Sequence, residues 1–326
     1  MNFEIDEQQR DFAASIDAAL GAANLPDAVR SWAAGDTAPG RKVWAQLADL
    51  GVTALMVPER FDGIGAHPVD LVVAAERLGR WNVPGPVTES VAVAPILLAD
   101  DERAGALASG ELIATVAAPP LAPRAVDADT AGLVLLAADE QVSDAAPGTR
   151  RESVDPSRRL FDVSPSGEAR PADVARAVEF GALATAAQLI GAAQAMLDTS
   201  VDYAKQRSQF GTVIGTYQAI KHKLADVLIA VELARPLVYG AALSLADRSA
   251  DTARDVSAAK AARDVSAAKA AAADAALLAA RAALQTHGAI GYTQEHDLSL
   301  LLLRVQALRP AWGDPGWHKR RLLEVL

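Results

Sequence analysis

No cysteine occurs among the 326 residues, which excludes disulfides and thiolate metal sites without fixing the compartment. The five histidines, His67, His222, His287, His296 and His318, show no metal-ligand spacing and no carboxylate cluster accompanies them, so no metal is expected. Aromatic residues make up only 5% of a chain that is 51% apolar, chiefly alanine, leucine and valine. That balance favours close-packed alanine-rich helices over a β-sandwich. There is no block of lysine and arginine and the net charge is −10, so nucleic acid is not an expected partner. No GxGxxG opens a helix after a strand, which leaves a Rossmann nucleotide site unsupported. No uninterrupted apolar run reaches the roughly eighteen residues of a membrane span. The start, MNFEIDEQQRDF, is acidic and amphipathic, unlike a secretory leader. The expectation is a soluble, cytoplasmic protein large enough for two or three packed units.

Three regions separate along the chain. Residues 1–110 read as a helical N-terminal domain. Phe3, Phe12, Ile16 and Leu20 recur at helical spacing, Trp44, Leu47, Leu50 and Val52 lead to a turn at Gly51, and Pro68 opens a helix ending near Gly79. The run VTESVAVAPILLA is expected to be a further helix with a break near Pro95. Residues 111–176 hold seven of the seventeen prolines, which marks a change of architecture. Short apolar runs, LIATVA, GLVLLAA and RLFDV, alternate with turn-rich AAPGTRRES and SPSGEARP, the pattern of a small middle β-domain. Residues 177–326 read as a C-terminal helical bundle. Its first helix is apolar or alanine on almost every face and should be central, and a second carries Pro236, expected to kink it. The fold class is therefore α+β, mainly α.

Between those two long helices lies RSQFGTVIGTYQ. Arg207 and Phe210 stand three residues apart at a helix end, Gly211 is expected to break the helix, and Gln218 follows on the next one. Such a set can hold a nucleotide, with guanidinium on pyrophosphate, ring against adenine and amide on phosphate or ribose. The same residues would equally serve as a surface arginine, a core phenylalanine and a capping glycine.

This stretch resembles the flavin-binding signature of acyl-CoA dehydrogenases, and the resemblance extends over most of the chain. LGVTALMVPERFDGIGAHPVDLVVAAERLGR is similar to the family's N-terminal pattern, and QTHGAIGYTQEHDLSL to its second C-terminal signature. The EHD after GYT resembles the actinobacterial branch that handles bulky acyl-CoAs, steroid ones included. The resemblance implies the acyl-CoA dehydrogenase fold and FAD-dependent α,β-dehydrogenation of an acyl-CoA thioester. It also implies an electron-transfer flavoprotein as acceptor, and a tetramer in which each flavin lies between two subunits. Carried over residue by residue, the nucleotide contacts are Arg207, Phe210 and Gln218, then Gln285, Gly288, Ala289 and Gly291. Ala289 replaces a glycine of the family's QxxGG element, placing a methyl where backbone must approach a phosphate.

Two departures follow from the same comparison. The family's middle-domain Thr-Glu, Gly-Ser-Asp and Trp-Ile-Thr/Ser patterns, which cradle the flavin ring, do not occur in 111–176. The catalytic glutamate is missing from both of its usual places, which correspond to Gly313 and Gly181. Asp314, one residue along, and Glu179, two residues before Gly181, are the nearest carboxylates. A shift of one residue turns a side chain by about 100° on a helix, so neither substitutes without local rearrangement. Three readings result. The chain is a subunit without a base that completes a partner subunit's FAD site, in a heterotetramer. Alternatively it is a self-sufficient dehydrogenase with a displaced base such as Asp314, or a non-catalytic scaffold. Separately, RDVSAAKAA occurs at 254–262 and again at 263–271. Nine residues rotate a helix by about 900°, half a turn out of phase. The extra copy is therefore expected to lengthen the loop and helix start after Ala246-Asp247, leaving the helix from Ala270 to Leu284 in place.

Overall fold

A computed structural model describes residues 5–246 and 254–324. Phe3 and the Asp247 junction lie outside the described residues. The helices are α1 (Glu7–Ala22), α2 (Leu25–Ala34), α3 (Ala38–Asp49), α4 (Pro68–Arg80), α5 (Ala94–Leu97) and α6 (Ala104–Ala108). After the strands come α7 (Val174–Gln206), α8 (Gln218–Ala246), α9 (Arg254–His287), α10 (Leu298–Leu308) and α11 (Pro315–Leu323). Asp6 caps α1 in a reciprocal pairing with Gln9, and Pro68 sits in the first turn of α4 with His67 as cap. The break expected near Pro95 does not occur. Thr88–Val93 forms a π-helical stretch that runs directly into α5, and Pro95 follows that wider turn as the helix returns to α geometry.

Between the helical parts lie β1 (Ala114–Ala117), β2 (Ala125–Val126), β3 (Leu133–Ala138), β4 (Gln141–Arg151), β5 (Leu160–Pro165) and β6 (Arg170–Pro171). They form one sheet in the order β1-β3-β4-β5-β2, with β6 paired to β4, and only β1 and β3 run parallel. The segment AAPGTRRES, read from sequence as a turn, is mostly strand. β4 runs through it, and the proline and glycine are absorbed at a register shift between Pro147 and Arg150.

α7 is 33 residues long and buried along most of its length. α7 and α8 are each long and apolar enough to cross a bilayer, yet 89% of the α7 window is buried in the protein core. α8 continues without interruption through Pro236. The described part of its surface keeps an apolar stripe exposed at Ile229, Leu233 and Leu237, four residues apart.

The repeat departs from expectation. Both copies of RDVSAAKAA are helical and α9 runs through them, as alanine-rich sequence with lysine and arginine favours. The second copy points into the core. Val265, Ser266 and Lys269 are fully buried, while Lys260, the counterpart of Lys269, is only partly covered. Lys269 Nζ donates to the carbonyls of Arg309 at 2.9 Å, Gly313 at 3.1 Å and Leu308 at 3.4 Å, satisfying the C-terminal end of α10. Burial pushes its pKa down to about 7, with Arg309 adding to the depression and Asp314 opposing it. Lys269→Met leaves those carbonyls without their donor and is expected to cost about 1–3 kcal/mol. Lys260→Met, the same change in the identical sequence, should stay within about 0.5 kcal/mol. Urea unfolding of both variants checks the contrast, and equal losses would refute it.

Candidate functional site

The two C-terminal signatures meet at one end of the bundle. Arg207 is the C-cap of α7 with extended backbone, so the helix stops before Phe210 and Gly211. Those two residues form the tip of a hairpin between β7 (Ser208–Gln209) and β8 (Thr212–Val213). Their φ values of 53° and 81° are those a two-residue type I′ turn requires. Gly211 is thus a hairpin residue and not the helix breaker expected from sequence. The turn lifts Phe210 out of the fold to 93% exposure, so it is not a core residue. The hairpin is held at its base by Ile214 N–H donating to Arg207 O, and Tyr217 Oη donates to Gln209 O. Gln218 opens α8 with its side chain exposed. The Arg207 guanidinium has no partner among the described residues.

α9 delivers the second signature to the same end. The His287 ring stacks on Tyr203 with centroids 4.3 Å apart, and His296 meets it edge-on at 5.0 Å. Tyr203 is one turn before Arg207 and His287 two residues after Gln285, so this stack ties the elements together. His287 Nδ1–H donates to Ala283 O at 2.8 Å, which leaves Nε2 with a lone pair. That nitrogen is buried with no hydrogen-bond partner among the described residues. Burial lowers the pKa of His287, the bond to Ala283 O opposes that, and His296 adds to the depression. Gly288 is in the left-handed region at φ 65° with open space around it. Gln285, Gly288 and Ala289 are exposed and Gly291 is buried.

The two glycines at the expected base positions have a different setting. Gly181 faces the buried Trp312 indole, and a Cβ there would stand 2.5 Å from the ring. A Cβ on Gly313 would stand 2.6 Å from His318 Nε2. Trp312 Nε1 donates to Glu89 Oε1 at 3.3 Å. Glu89, on the π-helical stretch, is 2% exposed, with Arg158 Nη2 3.8 Å away and its second oxygen unpaired. Gln188 Nε2 donates to Thr88 Oγ1 at 2.7 Å, and Thr185 Oγ1 lies 3.3 Å from that hydroxyl. Sequence reasoning missed Glu89 and Trp312. Only the TES preceding an apolar run hinted at a buried polar group there.

Asp314 is the N-cap of α11, accepting from Trp317 N at 2.9 Å, and this bond chiefly lowers its pKa. Its side chain faces solvent. Glu179 is engaged by Arg321.

A model of the acyl-CoA dehydrogenase N-terminal domain matches residues 6–101, and one of the C-terminal domain matches residues 173–326. The chain belongs to the acyl-CoA dehydrogenase family. It is 31% identical over 302 residues to acyl-CoA dehydrogenase IpdE2 of Mycolicibacterium smegmatis, covering 91% of this chain and 92% of that one. Among solved structures it is similar to the ChsE4–ChsE5 complex of Mycobacterium tuberculosis, with a TM-score of 0.84 at 22% identity over 99% of this chain and 98% of that one. The steroid acyl-CoA dehydrogenase Tcur3481–Tcur3483 gives a TM-score of 0.82 at 19% identity over 98% and 97%. The helical, β, helical order read from the sequence is this family's fold.

His318 links the glycine loop to α9. Its Nε2–H donates to Trp312 O at 3.0 Å and its Nδ1 accepts from Ser266 Oγ at 3.1 Å, the neutral tautomer that serves both. Burial pushes its pKa down to about 4 from 6.5, with Lys269 adding to the depression. The unfolded chain takes up a proton near pH 6.5 and the folded one not until about 4. The His318 contribution should be constant above 6.5, fall by about 3 kcal/mol between 6.5 and 4, and change no further below, separate from the slope that buried Lys269 imposes above pH 7. Denaturant titrations of wild type and His318→Gln across that range check this, and parallel pH profiles would count against it.

Proposed function

We propose that this chain is a subunit of a hetero-oligomeric, FAD-dependent acyl-CoA dehydrogenase. It supplies the nucleotide half of its partner's flavin site and carries no base of its own. The observation that carries this reading is the contrast between two ends of one molecule. At one end, Phe210 stands 93% exposed on a two-residue turn beside Arg207, whose guanidinium has no partner among the described residues. At the other, both base positions are glycines packed against bulky rings.

The residues at the exposed end fit a dinucleotide. Arg207 offers a bidentate cation for pyrophosphate, Phe210 a flat apolar face for adenine, and Gln218 and Gln285 exposed amides. Gly211 and Gly288 leave room for close approach. The unpaired His287 Nε2 is a buried acceptor suited to a donor on the ligand. FAD, when bound, supplies the hydride acceptor for α,β-dehydrogenation. This chain's own part is to hold and orient its pyrophosphate and adenine.

The exposed stripe Ile229, Leu233 and Leu237 on α8 supports obligate packing against a second subunit. Asp314 weighs against the self-sufficient alternative. Its carboxylate is spent on capping α11, and its depressed pKa makes it a weaker proton acceptor. The substrate class is a bulky acyl-CoA, a reading supported by EHD after GYT and by the steroid dehydrogenase among the structural neighbours. An electron-transfer flavoprotein serves as acceptor in this reading, and the complex works in the cytoplasm.

Expressed alone, the chain should be flavin-free and inactive on acyl-CoA. Co-expressed with a partner acyl-CoA dehydrogenase subunit that retains a catalytic glutamate, the pair should carry two FAD per four chains by absorbance and mass. A yellow, active homotetramer with one FAD per chain would overturn the reading. In the assembled complex, Arg207→Ala should weaken FAD retention about ten- to a hundredfold, since a charge-assisted bond is worth about 1.5–3 kcal/mol. Unchanged FAD affinity would remove the role given to Arg207.

A further inference from the structure

We infer that Trp312 is a built-in occupant of this chain's own acyl pocket, and that positions 181 and 313 are glycine because the Trp312 indole and the His318 imidazole stand where any side chain would go. The inference rests on the proposed reading in one respect, the correspondence of those two positions with the family's base positions. The packing itself is independent of it.

A Cβ on Gly181 would lie 2.5 Å from the indole, a separation that real carbon atoms do not adopt. The far side of the contact does not yield easily. Trp312 sits at φ 59°, a conformation that costs a bulky residue of order 1 kcal/mol or more and persists only where surroundings impose it. They do so from several directions. His318 holds the Trp312 carbonyl, Lys269 holds the Gly313 carbonyl from inside the core, and Glu89 accepts the indole N–H. The next residue, Gly313, is at φ 99° with His318 against it, so a glutamate there would need both a new backbone conformation and a displaced imidazole. The absent base is therefore not a simple loss of carboxylates. The volume in which a base and an acyl chain would meet has become core.

Removing the indole should leave a cavity at least comparable to the ~150 Å³ apolar cavity that binds benzene in an engineered lysozyme. One wall of it would carry a feature such cavities lack, the Glu89 carboxylate with no N–H left to accept. The opened site should thus take a flat aromatic of indole size with one N–H donor in preference to an isosteric hydrocarbon.

The test is a mutant cycle on the full-length chain, co-expressed with its partner subunit where the lone chain is insoluble. Gly181→Ala should lower Tm by several degrees in the Trp312 background and change it little in Trp312→Gly. Indole at millimolar concentration should raise the Tm of Trp312→Gly, naphthalene should raise it less, and wild type should respond to neither. Where Trp312→Gly does not fold, Trp312→Leu serves the same cycle with a smaller opening. Equal cost of Gly181→Ala in both backgrounds, or an indole response in wild type, would overturn the inference. Tryptophan fluorescence quenched by saturating octanoyl-CoA in wild type but not in Trp312→Leu would overturn it too, since the plug would then be a gate. Flavin stoichiometry with the partner is read in the same preparations. A chain that fails to complete a flavin site yet shows the full Gly181–Trp312 coupling would defeat the subunit reading and leave the plug standing.

Discussion

The fold turns on a contact between two backbones. Gly79 of α4 and Gly191 of α7 face each other's helices so closely that a Cβ on Gly191 would lie 1.9 Å from Glu76 O, and one on Gly79 2.1 Å from Gln188 O. No other residue fits at either place, and the pair lets two helices on either side of the β-sheet segment in sequence pack at backbone distance. The contact also traps Glu76, which is buried and paired with Arg77 at 2.8 Å and with Arg235 of α8 at 3.2 Å. α4, α7 and α8 are thereby fixed in one block. Gly181, ten residues before Gly191, inherits its position from that block. A fully buried arginine does the equivalent service elsewhere. Arg304 of α10 donates to Asp155, Ser157 and Val83 O, clamping the loop before β5 onto both helical parts. Burial works against ionisation of Asp155, yet Arg304 and Ser157 hold its pKa below the usual range.

Patterns that recur at a fixed period were legible in the sequence. The all-round apolar character of α7 announced a central helix, and Pro68 and the spacing from Val69 to Leu78 announced α4. What escaped were features set by a partner distant in sequence. Glu89, Arg158, Arg159 and Arg304 are buried, and a charged side chain read alone is assigned to the surface. Their burial depends on counter-charges as much as 149 residues away in the case of Arg304 and Asp155. The long strand β4 escaped because Pro147 and Gly148 look like a turn in one dimension and act as a bulge in three.

The site divided in the same way. Arg207, Phe210, Gln218 and the glycine run could be named from the sequence because they lie in two short contiguous motifs. Their local form could not. The Phe210-Gly211 turn was read as a helix terminus, although a polar pair before it and the β-branched Thr212-Val213 after it were the available hairpin signal. Trp312 carried no signal at all. Its place against Gly181 follows from α7 and the α10–α11 junction packing on one another, which no local pattern encodes.

The repeated nonapeptide within α9 bears on how this chain tolerates insertion. The register of α9 is anchored from the second unit onward, where Ser266 and Lys269 meet α11 and the α10 carbonyls. Because the two units are identical, excising either one yields the same polypeptide, and the surviving unit would lie in the buried register. The first unit adds about 13 Å of helix at the far end. An odd number of half-turns, ruinous in the middle of a packed helix, falls here in the first turns of α9, where Ala261 is the one buried residue among those of the first unit whose burial is described. Copy number at this point thus touches the core through a single alanine, so an added or lost unit disturbs far less packing here than a nine-residue insertion in α7 would.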